Sequence, residues 1–167
     1  MEVAGKKVLV IGAARSGIAS ARFLAQHGAT VALNDRKPLS EWSPAALDLK
    51  TEGVGIIEGD PPGWLLDQID LVVVSPGVPT KAIPIRYADR RGAEVIGEIE
   101  LASRFLRGRV VAISGTNGKT TTTTLIGQML SDAGIQVQVG GNIGTALVSM
   151  VALYALIIVG CSRQPEW

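Results

Sequence analysis

The chain has 167 residues, 16 basic and 15 acidic, for a formal net charge of +1, with 47% apolar and 19% charged residues. That balance argues against a disordered segment, and the near-zero charge removes the usual basic footprint of a nucleic-acid binder. The lone Cys161 excludes an internal disulfide framework, the single His27 speaks against a histidine metal centre, and Met1–Lys7 carries no secretory signal.

A reduced, cytoplasmic, soluble protein is expected. Twenty glycines beside 4% aromatics point to many tight turns and close backbone approaches.

Lys7-Val8-Leu9-Val10-Ile11-Gly12 reads as a buried strand, and Ser16 to Gln26 as a helix stopped by His27-Gly28. Thr30–Leu33 is a second strand, leading into Asn34-Asp35-Arg36. Ser43 to Glu52 reads as a short helix with Ser43 as N-cap and Pro44 at its first position. Gly55–Ile57, Leu71–Val74 and Glu94–Ile96 are further strands, with a helix over Ile83–Arg91. Continuous apolar strands alternating with helices imply a parallel sheet covered on both faces. The expected fold is α/β, a Rossmann-like doubly wound domain over residues 1–97.

A second unit starts at residue 98. Glu98 to Leu106 reads as a connecting helix, and Arg109 to Ser114 as a strand. Thr122 to Ala133 is the next helix, Ile135 to Val139 a strand, and Gly140 to Gly144 another glycine loop. Thirty residues from Ala133 to Ser162 carry no charge. A membrane span needs about 20 apolar residues, and the glycines break this stretch. A buried helix running into a central strand is expected over Ala146–Val159, with no membrane span.

Gly115-Thr116-Asn117-Gly118-Lys119-Thr120-Thr121 joins that strand to that helix. Unpaired N–H groups and the dipole at a helix N-terminus favour an anion. Lys119 reaches terminal phosphates as a point charge, and the Thr120 hydroxyl suits a magnesium ion bridging them. The loop is shorter than the general P-loop, which has a glycine where this chain has Ile113. The plain alternative is a glycine turn with Lys119 in solvent.

The first loop, Gly12-Ala13-Ala14-Arg15-Ser16-Gly17, resembles GxGxxG with Ala14 at the middle glycine, where a methyl group obstructs close approach to a pyrophosphate. Asp35 lies 18 residues beyond Gly17, at the place of a ribose-binding acid, and Arg36 can serve phosphate. A nucleotide diphosphate fits about as well as a dinucleotide. A plain strand-to-helix turn that needs small residues for packing is the alternative. Ser75-Pro76-Gly77 ends the Leu71–Val74 strand at the carboxyl edge, where such sheets bind ligands.

Together these motifs resemble the Mur ligases, the ATP-dependent amide ligases of peptidoglycan precursor synthesis. Gly115 to Thr121 is similar to their ATP loop. Gly12 to Gly17, Ser75 to Pro79, Gly97 to Leu101 and Gly140 to Gly144 resemble, in order and spacing, the branch that adds D-glutamate. The resemblance implies that ATP activates the carboxylate of UDP-N-acetylmuramoyl-L-alanine as an acyl phosphate, which the amine of D-glutamate attacks.

It also implies residue roles. Arg15 and Ser16 contact the UDP portion, Asp35 and Arg36 hold the uridine side, Gly77 contacts uridine, and Asn142 binds the UDP-sugar. Gly115, Thr116, Asn117, Gly118, Lys119, Thr120 and Thr121 bind ATP. Lys119 serves catalysis and Thr120 the Mg2+. Residues 1–97 then form the UDP-substrate domain, and 98–167 the start of the ATP-binding central domain.

The resemblance breaks at the end. The family's apolar strand closes on a magnesium-binding glutamate, whose place Val159 occupies, and Cys161 to Trp167 only faintly echoes the family's next segment. The expectation is a chain without ligase activity on its own, missing the family's C-terminal parts, and prone to aggregate. A non-catalytic NAD- or nucleotide-binding Rossmann module is the competing reading.

Overall fold

The apolar run after Lys6 forms β1 (Lys7–Ile11), the centre of a five-stranded parallel sheet. Val8, Leu9 and Val10 are all fully buried. Successive side chains of a strand point to opposite faces, so burial of all three requires cover on both sides. α1 (Arg15–Gln26) comes next, then β2 (Thr30–Asp35), α2 (Pro44–Leu47), β3 (Gly55–Glu58), α3 (Gly63–Leu66), β4 (Leu71–Val74), α4 (Ile83–Arg90), β5 (Glu94–Gly97) and α5 (Glu98–Ser103). The computed structural model describes residues 1–79, 82–106, 109–141, 145–151 and 156–160, of which residues 83, 141 and 156–160 are described by backbone alone.

The strand order is β3-β2-β1-β4-β5. β1 pairs with β2 through Val8 and Val31, and with β4 through Leu9 and Val72. The sheet therefore grows away from β1 in both directions. The carboxyl ends of β1, β2 and β4 meet at one edge, where Ile11 is in register with both Asn34 and Val74. On one face Leu9, Ile11, Val72 and Val74 pack with Leu66, Ile69, Ile85 and Ala88.

The structure differs from the sequence reading in detail. Ser43 caps α2 as expected, its hydroxyl accepting from the Ala46 N–H at 3.3 Å. The helix ends at Leu47 and tightens into a 3-10 turn over Asp48–Lys50 that buries Leu49. α3 is a single turn after Pro61-Pro62, too short to show a helical period. At the end of α1 the His27 ring stacks on Phe23, with ring centroids 4.0 Å apart, and its Nδ1 lies 2.7 Å from the Phe23 carbonyl oxygen. Arg22 on α1 grips both oxygens of Glu52, its Nε and Nη2 donating at 2.7–3.0 Å. The guanidinium hydrogen bonds hold the Glu52 carboxyl below its usual range.

The chain divides into two compact units, Met1–Leu101 and Ala102–Trp167. The second unit contains β6 (Val110–Ile113), α6 (Lys119–Asp132), β7 (Val137–Gly141) and β8 (Leu156–Gly160). Its parallel sheet has the order β6-β8-β7. The buried helix expected within Ala146–Val159 is instead a 3-10 turn, Leu147–Met150, that buries Leu147, Val148 and Met150. The connection from β7 back to its parallel neighbour β8 is short, which leaves room for a tight turn. β8 is the central strand, as the apolar run suggests. No described helix is long and apolar enough to cross a membrane.

Candidate nucleotide site

The first glycine loop is shaped by two close approaches. Gly12 has φ +101°, and a Cβ there would lie 2.9 Å from the Ser75 Cβ. A Cβ on Gly17 would lie 1.7 Å from the Gly12 carbonyl oxygen. Only glycine lets α1 sit this close to the end of β1. The Ser75 hydroxyl, nearly fully buried, donates to the same Gly12 carbonyl at 3.1 Å and ties the β4 loop to the β1 loop. Packing alone thus explains both glycines, as the plain turn reading requires. The case for a ligand rests on their surroundings.

A cavity of about 490 Å³ lies beside them, at the edge where β1, β2 and β4 end. Its volume falls in the range of small-molecule sites. Gly12, Ala14, Asn34, Asp35, Arg36, Ser75 and Gly77 line it, with an apolar wall of Pro76, Val78, Pro79, Ala82 and Pro84. Gly77 has φ +91° and open space where a Cβ would stand, so its backbone faces the cavity bare. Arg36 lies at the rim, 3.4 Å from Asp60 and largely exposed. Asn34 is buried and donates its amide to the Ile57 and Gly59 carbonyls at 3.0 and 2.8 Å, which fixes the end of β2.

α1 begins beside this cavity. Its N-cap, Ala14, offers no side-chain hydrogen bond, and its first turn holds no acid. N–H groups left open in this way favour an anion.

The expected substrate residues are partly gathered. Asp35, Arg36 and Gly77 share the cavity. Arg15 lies at the start of α1 but lines a neighbouring cavity of about 500 Å³ with Lys37 and Trp42. Ser16 comes next in α1 and lines neither cavity. Asn142 lies outside the described residues. The Ser75 hydroxyl, the Asn34 amide and the proline wall were not singled out from sequence. Only the Ser-Pro-Gly triplet signalled them, and it does not reveal which carbonyl a hydroxyl reaches.

The second loop repeats the plan on β6. Gly118, at φ +76°, is the N-cap of α6, a left-handed conformation that glycine tolerates best. The Lys119 ammonium folds back and donates to the carbonyls of Gly115 and Thr116. Thr120 and Thr121 stand exposed in the first turn, which has no acid. A lysine held over its own loop, beside an uncapped helix start, suits a phosphate chain. Among the described residues no group of three or more His, Cys, Asp or Glu could hold a metal ion. The backbone of Val159 pairs with Ala112 in β8.

A doubly wound sheet with a cavity at its switch point, then a strand, glycine loop, lysine and helix, defines a nucleotide-using α/β protein. Residues 6–97 match the family Mur ligase MurD-like, N-terminal domain. The chain belongs to this branch of the Mur ligases. It is 52% identical over 149 residues to the UDP-N-acetylmuramoylalanine–D-glutamate ligase of Pelotomaculum thermopropionicum, covering 89% of this chain and 33% of that relative. The same ligase of Geobacter metallireducens is 44% identical over 171 residues, covering 100% and 38%. The chain thus spans about a third of the length of these relatives. Among solved structures, the murein peptide ligase Mpl of Psychrobacter arcticus shares the fold, with a TM-score of 0.57 at 23% identity, covering 93% of this chain and 37% of that one.

Proposed function

We propose that this chain carries the nucleotide-recognising part of a UDP-N-acetylmuramoyl-L-alanine:D-glutamate ligase. Residues 1–97 form the UDP-substrate domain, and residues 98–167 belong to the ATP-binding central domain. The observation that carries the reading is the cavity where β1, β2 and β4 end, lined by Asp35, Arg36 and Gly77 beside the open start of α1. The uracil and ribose occupy the cavity between Gly77 and the proline wall. The diphosphate lies at the N-terminus of α1, near Arg15 and Ser16, and Asn142 contacts the sugar. A dinucleotide fits less well, because the Ala14 methyl stands where a dinucleotide fold has its middle glycine.

Gly115 to Thr121 bind the ATP phosphates. Lys119 exchanges its loop carbonyls for phosphate oxygens and neutralises charge that develops during transfer. The residues present fit Mg2+ through the Thr120 hydroxyl together with ATP oxygens; the ion supplies charge neutralisation when bound. A carboxylate is a poor electrophile because oxide is a poor leaving group. Phosphorylation of the muramoyl-L-alanine carboxylate replaces that leaving group with phosphate. The D-glutamate amine then forms the amide and releases phosphate. The setting proposed for this chemistry is the cytoplasm.

Calorimetric titration of the 167-residue chain with UDP-N-acetylmuramoyl-L-alanine, UDP and NAD tests the first domain. The uridine ligands are expected to bind more tightly, and tighter binding of NAD overturns the assignment in favour of a Rossmann module. Titration with Mg-ATP tests the second loop.

A further inference from the structure

Asp35 ends β2 at the place where dinucleotide folds carry an acid for the ribose hydroxyls. Here both of its oxygens are already engaged by backbone. Oδ2 accepts from the Ala13 N–H at 2.8 Å, and Oδ1 accepts from the Lys37 N–H at 3.0 Å. Ala13 belongs to the glycine loop, one residue before the N-cap of α1. Charge-assisted bonds of this length are the stronger kind. The carboxylate therefore cross-links the end of β2 to the loop that leads into the helix. It also forms, with Ala14, the wall shared by the two neighbouring cavities.

We infer that Asp35 is a positioning residue: it acts on the diphosphate through the Ala13 backbone, and it does not act by accepting hydrogen bonds from ribose or base. By holding Ala13, it sets the direction in which the first N–H groups of α1 face the anion. This rests on the reading of the cavity as a uridine diphosphate site. The geometry separates it from simple electrostatics. A carboxylate beside a diphosphate repels it, so neutralising Asp35 without other consequence would tighten binding. Loss of the clamp weakens it.

The experiment compares wild type with Asp35→Asn on three ligands: UDP, 2′,3′-dideoxy-UDP and uridine. The expected result is a drop of about tenfold in affinity for UDP, the scale of one charge-assisted hydrogen bond. The drop for dideoxy-UDP is the same factor, and uridine, which has no phosphate, is unchanged. A ribose acceptor would instead show a drop that vanishes with dideoxy-UDP. A base or ribose contact would weaken uridine as much as UDP. Either pattern overturns the inference, as does unchanged or tighter UDP binding. Failure of wild type to bind UDP removes the underlying reading instead. Hydrogen exchange needs no variant and decides the matter if Asp35→Asn does not fold. The Ala13 amide of the ligand-free wild type is expected to be protected, and exchange at the unfolded-chain rate rules out the clamp.

Discussion

β1 and β6 are both short apolar strands that end in a glycine loop and feed a helix, yet their surroundings differ. In β1, Val8, Leu9 and Val10 are completely buried. In β6, Val110 is 44% and Val111 39% exposed. The helices differ in the same sense. α1 buries Ala21, Phe23 and Leu24, whereas α6 buries Thr123 and Gly127 and leaves Leu125 and Met129 exposed. Loop geometry suited to phosphate therefore does not depend on a deep core. It depends on the strand–glycine–helix junction, which both regions possess. The core decides instead how much a side chain on the supporting strand contributes to stability.

The largest effect is expected at the tightest junction. Gly17→Ala forces a methyl group into the Gly12 carbonyl. α1 must then move off β1, which removes UDP binding and the cooperative melt of the first unit, as read by calorimetry and circular dichroism. The conformer at Gly118 has no such neighbour, so Gly118→Ala strains only the backbone and leaves UDP binding intact.

Next comes the contrast in burial. Leu9→Ala is expected to cost about 2–5 kcal/mol, and Leu125→Ala about 0.5 kcal/mol or less, in denaturant melts. Equal costs would erase the distinction drawn between the two regions.

Lys119→Ala is expected to weaken ATP by roughly ten- to hundredfold through loss of charged hydrogen bonds, with UDP affinity unchanged. A matched loss of UDP binding would mean that the two loops do not act separately.

The smallest effect belongs to Arg22 and Glu52, an exposed pair. The folded-state pKa of Glu52 lies below its unfolded value. Its contribution is therefore present above the unfolded pKa and lost as the pH falls through the folded one. Glu52→Gln should lower the melting temperature slightly at about pH 7 and not at all in strong acid. An equal shift at both pH values would assign the effect to packing.

Much of this was legible in the residues. Leu71-Val72-Val73-Val74 reads as a strand because four adjacent apolar residues suit a sheet covered on both faces, and all four are buried. Gly118-Lys119-Thr120 marks a helix start whose backbone can meet a phosphate. Other features left no local trace. Ser43 announces a helix, but its length was set by where Leu49 had to be buried. Leu125 and Met129 lie four residues apart and look like a core-facing pair, yet Thr123 and Gly127 occupy the buried face. A helical period locates a stripe; it does not say which stripe meets the sheet.

From sequence alone came the α/β alternation, the two glycine loops and the chemistry of Lys119, because these depend on residue type and spacing along the chain. Tertiary structure decided the rest. Gly12, Asp35, Arg36 and Gly77 come from three separate segments, and only the parallel order β2-β1-β4 brings their strand ends together. That Asp35 holds the Ala13 N–H, and that Ser75 reaches the Gly12 carbonyl, are facts about atoms distant in the chain. No spacing rule encodes such bonds, because their partners are chosen by how the sheet is ordered and how closely α1 packs against it.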